Sequence, residues 1–298
     1  MRVFLTGATG FIGTAVIREL IDAGHQVLGL ARSDTGAKSL AAMGVQVHRG
    51  DLEDLKSLRS GAAMSDGVIH TAFNHDFSKY AENCEMDRHA IEALGTALAG
   101  SDRPLIVTSG TALLTPGRLG TEEDAPASGA AAIPRVASED AAASLEARGV
   151  RASVVRLAPS VHNREKQGFV TVLIEIAREK RVSAFVGNGA NRWPAVHQLD
   201  AARLYTLALE KGVAGARYHA VAEEGLPVRK IAEVIGRRLN VPVVAKSPEE
   251  AAGHFGWFAP FVSADAPASS ALTQERLGWR PAQPDLISDL EQASNLEI

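Results

Sequence analysis

The sequence predicts an α/β protein: a doubly wound parallel sheet with a smaller C-terminal α+β lobe. Three observations carry this. The chain opens on an apolar run, a turn with three glycines and an amphipathic stretch, in that order. Short apolar runs then alternate with segments of helical periodicity as far as residue 157. Strands and helices that alternate in this way form a parallel sheet with right-handed crossovers. Beyond residue 158 the alternation gives way to short strands and helices in irregular order. The expected division is residues 1–158 with a return segment near 194–222 in one lobe, and residues 159–193 with 223–298 in the other. A substrate cleft is expected between them.

The first strand is set by Val3, Phe4 and Leu5. Gly7, Gly10 and Gly13 follow at three-residue spacing. Between a strand and a helix each has a separate use. Gly7 permits the tight exit, Gly10 lets backbone approach a pyrophosphate, and Gly13 lets helix pack close to strand. Free amides around Phe11 and Ile12 favour an anion. Ala15, Val16, Leu20 and Ile21 keep helical spacing, and Gly24 fits a stop. This is the signature of a Rossmann-type dinucleotide site.

Residues 26–31 read as the second strand, ending in Arg32 and Ser33. An acid at this place holds the ribose 2′-hydroxyl of NAD, whereas Arg suits a 2′-phosphate. The nearest acid, Asp34, comes two residues late. NADP(H) is therefore the expected cofactor, ahead of NAD(H).

A helix over 36–43 leads to a third strand over 44–48, and residues 67–73 form the fourth. His75 opens the next loop, on the ligand side of an open sheet, and is a substrate-contact candidate. Residues 80–99 carry a long helix with Ile91, Leu94 and Leu98 as its stripe. The fifth strand covers 103–111, a Gly-, Pro- and Ala-rich loop covers 115–133, and a helix covers 137–147. The sixth strand, 152–157, is closed by residues 158–162.

In the second part, a helix is expected over 169–180, a strand over 182–187 and a loop over 189–194. Residues 195–200 lead a helix that Asp200 is placed to cap. A strand over 218–221, a helix from 226 and a short extended run over 241–245 follow, and 272–281 ends the ordered chain. His162, Arg192 and Trp193 are further substrate-side candidates.

Hydrophobic residues at 46% and charged residues at 22% are ordinary globular values. The net charge of −4, with dispersed Lys and Arg, argues against nucleic acid as a partner. The single cysteine, Cys84, rules out an internal disulfide framework, and no Cys/His cluster points to a metal. The chain opens directly into a strand, and no apolar run reaches about 18 residues. A soluble cytoplasmic protein with a small-molecule substrate and no membrane partner is expected. A homo-oligomer is compatible with the sequence, but no feature fixes its order.

The spacing Gly-x-x-Gly-x-x-Gly in residues 6–13 resembles the opening of the extended and atypical short-chain dehydrogenase/reductases, the NAD(P)-dependent epimerase/dehydratase-like family. Residues 196–200 resemble its Val-His-x-x-Asp segment, and residues 277–281 its Leu-Gly-Trp-x-Pro ending. The three landmarks fall in the family's order and span nearly the whole chain. The resemblance implies that Asp51 and Leu52 lie against the adenine, and that Thr71, Ala72 and Phe73 lie against the ribose and pyrophosphate. It also brings Thr9, Thr108 and Pro159 into the cofactor set. It makes Ser109 and Thr111 the groups that orient a substrate oxygen. An alternative use of Asp51 is as a helix N-cap.

One departure matters. Most of the family carries a Tyr, and a Lys four residues later, after the fifth strand. Here Arg135 and Glu139 stand at those places, and the chain has no Tyr between Tyr80 and Tyr205. The resemblance is therefore to the atypical branch. Arg135 can serve as a cationic clamp in catalysis but not as a proton donor. The plainer alternative is a solvated Arg135–Glu139 pair at i, i+4 spacing. Three functions stay open: an NADP-dependent oxidoreductase, a non-catalytic NADP-binding sensor or scaffold, and an epimerase-like enzyme on a nucleotide sugar.

Overall fold

Alternating burial in the first strand sets the layers. In β1 (Arg2–Thr6), Val3 and Leu5 enter one core and Phe4 another, as side-chain alternation along a strand requires. The chain, seen in a computed structural model that describes residues 1–128 and 133–296, repeats this unit. β1 leads into α1 (Phe11–Asp22), β2 (Gln26–Ala31), α2 (Asp34–Ala42), β3 (Gln46–Arg49), α3 (Leu55–Ala63) and β4 (Gly67–His70). Then come α4 (Tyr80–Leu98), β5 (Pro104–Gly110), α5 (Val136–Glu146) and β6 (Arg151–Leu157).

The second part begins with β7 (Ser160–His162), α6 (Phe169–Lys180), β8 (Ser183–Val186) and β9 (Arg192–His197). α7 (Gln198–Lys211), β10 (Arg217–Ala220), β11 (Glu223–Pro227), α8 (Val228–Arg238) and β12 (Val243–Lys246) follow. The chain continues with α9 (Pro248–Phe255), α10 (Ala259–Ser263), α11 (Ala271–Leu277) and α12 (Leu286–Glu291).

The main sheet has seven parallel strands in the order β10-β6-β5-β4-β1-β2-β3. α1, α2 and α7 cover one face, and α3, α4 and α5 cover the other. The expected Rossmann-type sheet is thus observed. A smaller core gathers Leu173, Phe185, Trp193, Ile231, Phe258 and Leu290 around two small sheets, β11-β9-β7 and β12-β8. The chain passes between cores within β9: Trp193 and Ala195 belong to the smaller one, Val196 to the larger.

Several expectations are corrected. The predicted loop over 189–194 ends at residue 191, because Arg192, Trp193 and Pro194 begin β9, the central strand of its sheet. Pro194 cannot donate to a ladder. The partner strand accommodates this by a register shift between Glu223 and Leu226, opposite Pro194. Residues 129–132 of the predicted 115–133 loop lie outside the described residues. The rest of that loop is tied to the C-terminal segment, with Gly117 N donating to Asp265 O (2.8 Å) and Gly120 N to Pro267 O (2.9 Å). The order does not end at 281 either, because Leu286 and Leu290 of α12 are fully buried.

Asp200 does not cap α7. His197 does so, its Nδ1 accepting from Leu199 N at 3.2 Å. Asp200 sits in the first turn and accepts from Ala282 N (3.0 Å) and Gln283 N (3.0 Å), while its carbonyl accepts from Trp279 Nε1 (2.9 Å). One residue thus anchors the C-terminal segment to the main domain. Asp200→Ala is expected to lower stability to urea by about 2–4 kcal/mol, since both lost bonds are to a charged acceptor. A change below about 0.5 kcal/mol would contradict this anchoring role.

Candidate functional site

The glycine turn is as tight as the spacing demands. Gly7 has φ +67°, and a Cβ there would lie 2.7 Å from Ala72 N and from Thr71 Oγ1. A Cβ on Gly13 would lie 2.1 Å from Gly7 O, so α1 is pressed onto the strand exit. Gly10 precedes α1 with no side-chain cap, and the first turn of α1 holds no acid. The amides at Phe11 and Ile12 therefore stay available to an anion. β1 lies between β2 and β4, so the strand order reverses there, and the crevice at the carboxyl ends of β1 and β4 is the expected ligand site. Thr71 Oγ1 donates to Thr6 O (2.8 Å), fixing the exit of β4 against β1. These features fit a dinucleotide.

At the ribose end, Arg32 is exposed. Arg49, which the sequence reading did not single out, stands beside it because β2 and β3 pair Ala31 with Arg49. Arg49 donates to Ser33 O (2.6 Å), to Arg32 O (3.3 Å) and to Asp34 Oδ1 (2.9 Å). Asp34 is thereby paired, in an exposed contact. Ser33 caps α2 by accepting from Gly36 N (3.1 Å). Asp51 does not cap α3; Asp54 does. Asp51 Oδ1 instead accepts from Glu53 N (2.9 Å) and Asp54 N (3.0 Å), which fixes the turn beside half-buried Leu52.

The carboxyl end of β5 holds the other polar groups. Thr108 Oγ1 donates to His70 O (2.7 Å) and lies 2.7 Å from the buried Tyr205 hydroxyl, which is left to act as donor. Thr111 is buried, with its hydroxyl 3.5 Å from Leu157 O. Ser109 differs. It is buried, and its Oγ has no partner among the described residues.

Arg135 lies next to this strand end. Its Nη1 donates to Asp87 Oδ2 (2.5 Å) and Ser138 Oγ (2.9 Å), and its Nη2 donates to Thr108 O (2.9 Å). The guanidinium carbon sits 4.0 Å from the centroid of the Phe73 ring. The alternative of a solvated Arg135–Glu139 pair is overturned. Glu139 is buried and binds the fully buried Arg156 through two bonds of 2.8 and 2.7 Å. The Tyr and Lys positions of the resembled family thus hold members of two separate buried ion pairs.

Asp87 is the centre of the first. Its other oxygen lies 3.1 Å from His70 Nε2, and Ser138 Oγ donates to it at 2.7 Å. His70 Nδ1 lies 2.7 Å from Thr6 Oγ1, which itself accepts from Ala72 N (3.3 Å). A carboxylate can only accept, so His70 Nε2 donates to Asp87. Burial acts to raise the Asp87 pKa. The Arg135 charge and the His70 and Ser138 contacts outweigh it and hold the carboxyl below its ordinary value. The sequence did carry a signal for Asp87: it shares a helix stripe with Cys84, Ile91, Leu94 and Leu98, where a carboxylate without a partner would be costly.

The remaining candidates are placed differently. His75 lies near Phe73 at the rim, with ring centroids 5.4 Å apart. Partial desolvation, then the charges of Arg135 and Lys166, hold its pKa below the ordinary value. His162 is buried in β7 with Nδ1 2.7 Å from Asp289 Oδ2. Arg192 is engaged with Asp265 (2.9 and 3.0 Å), and Trp193 packs in the smaller core against Phe258. The structure brings Thr108, Arg135 and Phe73 together at the strand end that carries Ser109, and gives His162, Arg192 and Trp193 partners elsewhere.

Residues 3–222 match the NAD dependent epimerase/dehydratase family. An uncharacterized protein of Schizosaccharomyces pombe is 52% identical, over 97% of this chain and 98% of that one. The 4-hydroxy-2-methyl-3-oxo-4-farnesyl-3,4-dihydroquinoline-1-oxide ketoreductase of Stigmatella aurantiaca is 28% identical, over 90% of this chain and 84% of that one. Among solved structures, the dTDP-glucose 4,6-dehydratase of Streptomyces venezuelae with NAD bound superposes with a TM-score of 0.77 at 18% identity, covering 99% of this chain and 96% of that one. That last likeness concerns the fold. The chain belongs to the NAD dependent epimerase/dehydratase family, whose members bind an NAD(P) nucleotide. No helix among the described residues is long and apolar enough to cross a membrane.

The Asp87 network has a pH signature. A carboxyl with a depressed folded pKa stabilises fully above its unfolded value, about 3.9. That contribution is lost as pH falls through the folded value. Asp87→Asn is therefore expected to be less stable than the parent at pH 6–7, with the gap closing as pH drops below about 4. Thermal melts of both proteins across pH 3–7 measure this, and a gap that widens on acidification would contradict it.

Proposed function

We propose that this chain is an NADP-dependent oxidoreductase that interconverts a small carbonyl or enone substrate and its reduced form. The observation that carries the reading is the Ser109 hydroxyl: buried, without a partner among the described residues, and at the carboxyl end of β5 next in sequence to Thr108, whose carbonyl accepts from Arg135. A buried hydroxyl with no partner is costly unless a ligand supplies one. A substrate oxygen would supply such a partner. NADP(H), when bound, supplies the hydride chemistry.

The residues then have separate roles. Ser109 donates to the substrate oxygen. Arg135, with three of its five N–H donors engaged by Asp87, Ser138 and Thr108, adds fixed positive charge where negative charge develops. Thr111 supports the strand end. Arg135 cannot release a proton near neutral pH, so the proton comes from solvent entering the cleft. The NADP preference rests on Arg32 and Arg49, with Asp34 paired and so a poor partner for a ribose hydroxyl. Substrate is taken up between the lobes formed by residues 1–158 with 194–222 and by 159–193 with 223–298. The Stigmatella relative is a ketoreductase, which supports a reductive role.

The test is titration with NADPH and NADH, then NADPH consumption over aldehydes, ketones and enones. NADPH is expected to bind at least tenfold tighter than NADH, and Arg32→Asp to abolish most of that preference. Ser109→Ala is expected to slow turnover about 10²-fold while leaving NADPH affinity unchanged. Tight NADPH binding without turnover over the whole panel would favour the sensor alternative. Equal affinity for both cofactors would remove the NADP assignment.

A further inference from the structure

The turn after β4 and the segment after α9 meet at aromatic side chains that the proposed hydride step does not use. Phe77 lies in a short 3₁₀ turn, Phe77–Lys79, that Asp76 caps by accepting from Ser78 N at 3.1 Å. Asn83 Nδ2 holds the same turn through Asp76 O (2.8 Å). The position of Phe77 is thus built in. Its ring stacks on Trp257 at 4.8 Å between centroids and 16° between planes. Phe169 and Phe261 approach Phe77 at 6.0 and 6.3 Å, and Tyr80 lies 5.6 Å from it. Tyr80 reaches Phe73 at 6.3 Å, and Phe73 carries the Arg135 guanidinium. A continuous aromatic wall therefore runs from the polar end of β5 to the surface, with Phe73, Phe77 and Tyr80 from one side and Phe169, Trp257 and Phe261 from the other.

The outer end of this wall is exposed to solvent. Trp257 keeps 53% of its surface exposed although one face is stacked. The six side chains carry no charge. The Tyr80 phenol, pushed up to about 12 by burial and by nearby Cys84, stays neutral. At the outer rings, Phe77, Trp257 and Phe261, a diphosphate or a sugar ring would give up water contacts for the Trp257 indole N–H and nearby His75, whereas Arg135 at the inner end is already engaged by Asp87, Ser138 and the Thr108 carbonyl. An aryl or alkyl group would cover exposed apolar surface and gain stacking.

We propose that this wall binds an aryl or alkyl group on the substrate, so that the substrate class is an apolar ketone or enone and not a nucleotide sugar. The proposal rests on the oxidoreductase reading for the carbonyl but is tested separately from it. The substrate enters along Trp257 and Phe77, and its oxygen ends at Ser109 and Arg135.

Trp193 and Trp279 are buried, and Trp257 is the exposed tryptophan of the three, so intrinsic fluorescence reports on the wall. The full chain loaded with NADP⁺ is titrated with acetophenone, 2-octanone, hydroxyacetone and UDP-glucose. Saturable quenching is expected with the first two only, and Trp257→Ala should abolish it. In NADPH-consumption assays, the kcat/KM ratio of acetophenone to hydroxyacetone is expected to fall about tenfold in Trp257→Ala and to return in Trp257→Phe. Saturable quenching without turnover of any ketone would support the wall and sink the reductase reading. Turnover with an unchanged ratio in Trp257→Ala, quenching by neither apolar ketone, or tighter binding of UDP-glucose would overturn the proposal.

Discussion

The buried contact between Asp87 and Arg135, 2.5 Å long, is what the rest of the site depends on. It joins α4 to the start of α5, and through His70 it reaches β4 and Thr6 of β1. Taking a carboxylate and a guanidinium out of water costs several kcal/mol for each ion, and only good geometry with further hydrogen bonds offsets that. Here Ser138, His70 and the Thr108 carbonyl supply those bonds. The arrangement fixes a cation where most of the family has a titratable acid. Glu139, at the Lys place, is an acid and is held inside the domain by Arg156 from β6.

The glycine turn imposes the second constraint. Because a Cβ at Gly13 would come within 2.1 Å of Gly7 O, α1 can start only where its free amides face the crevice between β1 and β4. The Thr6–His70 contact lies directly beneath that crevice. The cofactor cradle and the Arg135 network therefore share one strand end.

Much of the fold was legible because its signals are local. The strand–glycine–helix opening, the alternating apolar runs and the stripe of α4 all follow from periodicity. The second part was less legible for physical reasons. β9 contains Pro194, which reads as a loop, and only the bulge in β11 opposite it makes the strand possible. Asp200 looked like a cap because it opens a helix, whereas its partners lie about 80 residues away in sequence. At the candidate site, Ser109, Arg135 and the glycine turn are the groups that the sequence itself points to. Asp87, His70 and Arg49 were not singled out, since what gives them meaning is a contact across the sheet or between helices. The Phe77–Trp257 stack is of the same kind.

The central claim is that a non-titrating guanidinium, and not a tuned tyrosine, serves the substrate oxygen. The pH profile of kcat for NADPH-dependent reduction tests this most directly. Arg135 stays charged throughout the accessible range, and Tyr80 is pushed up to about 12. The account therefore predicts no basic limb between about pH 7 and 10. A basic limb with an apparent pKa in that range, retained in Arg135→Lys and removed in Tyr80→Phe, would contradict it.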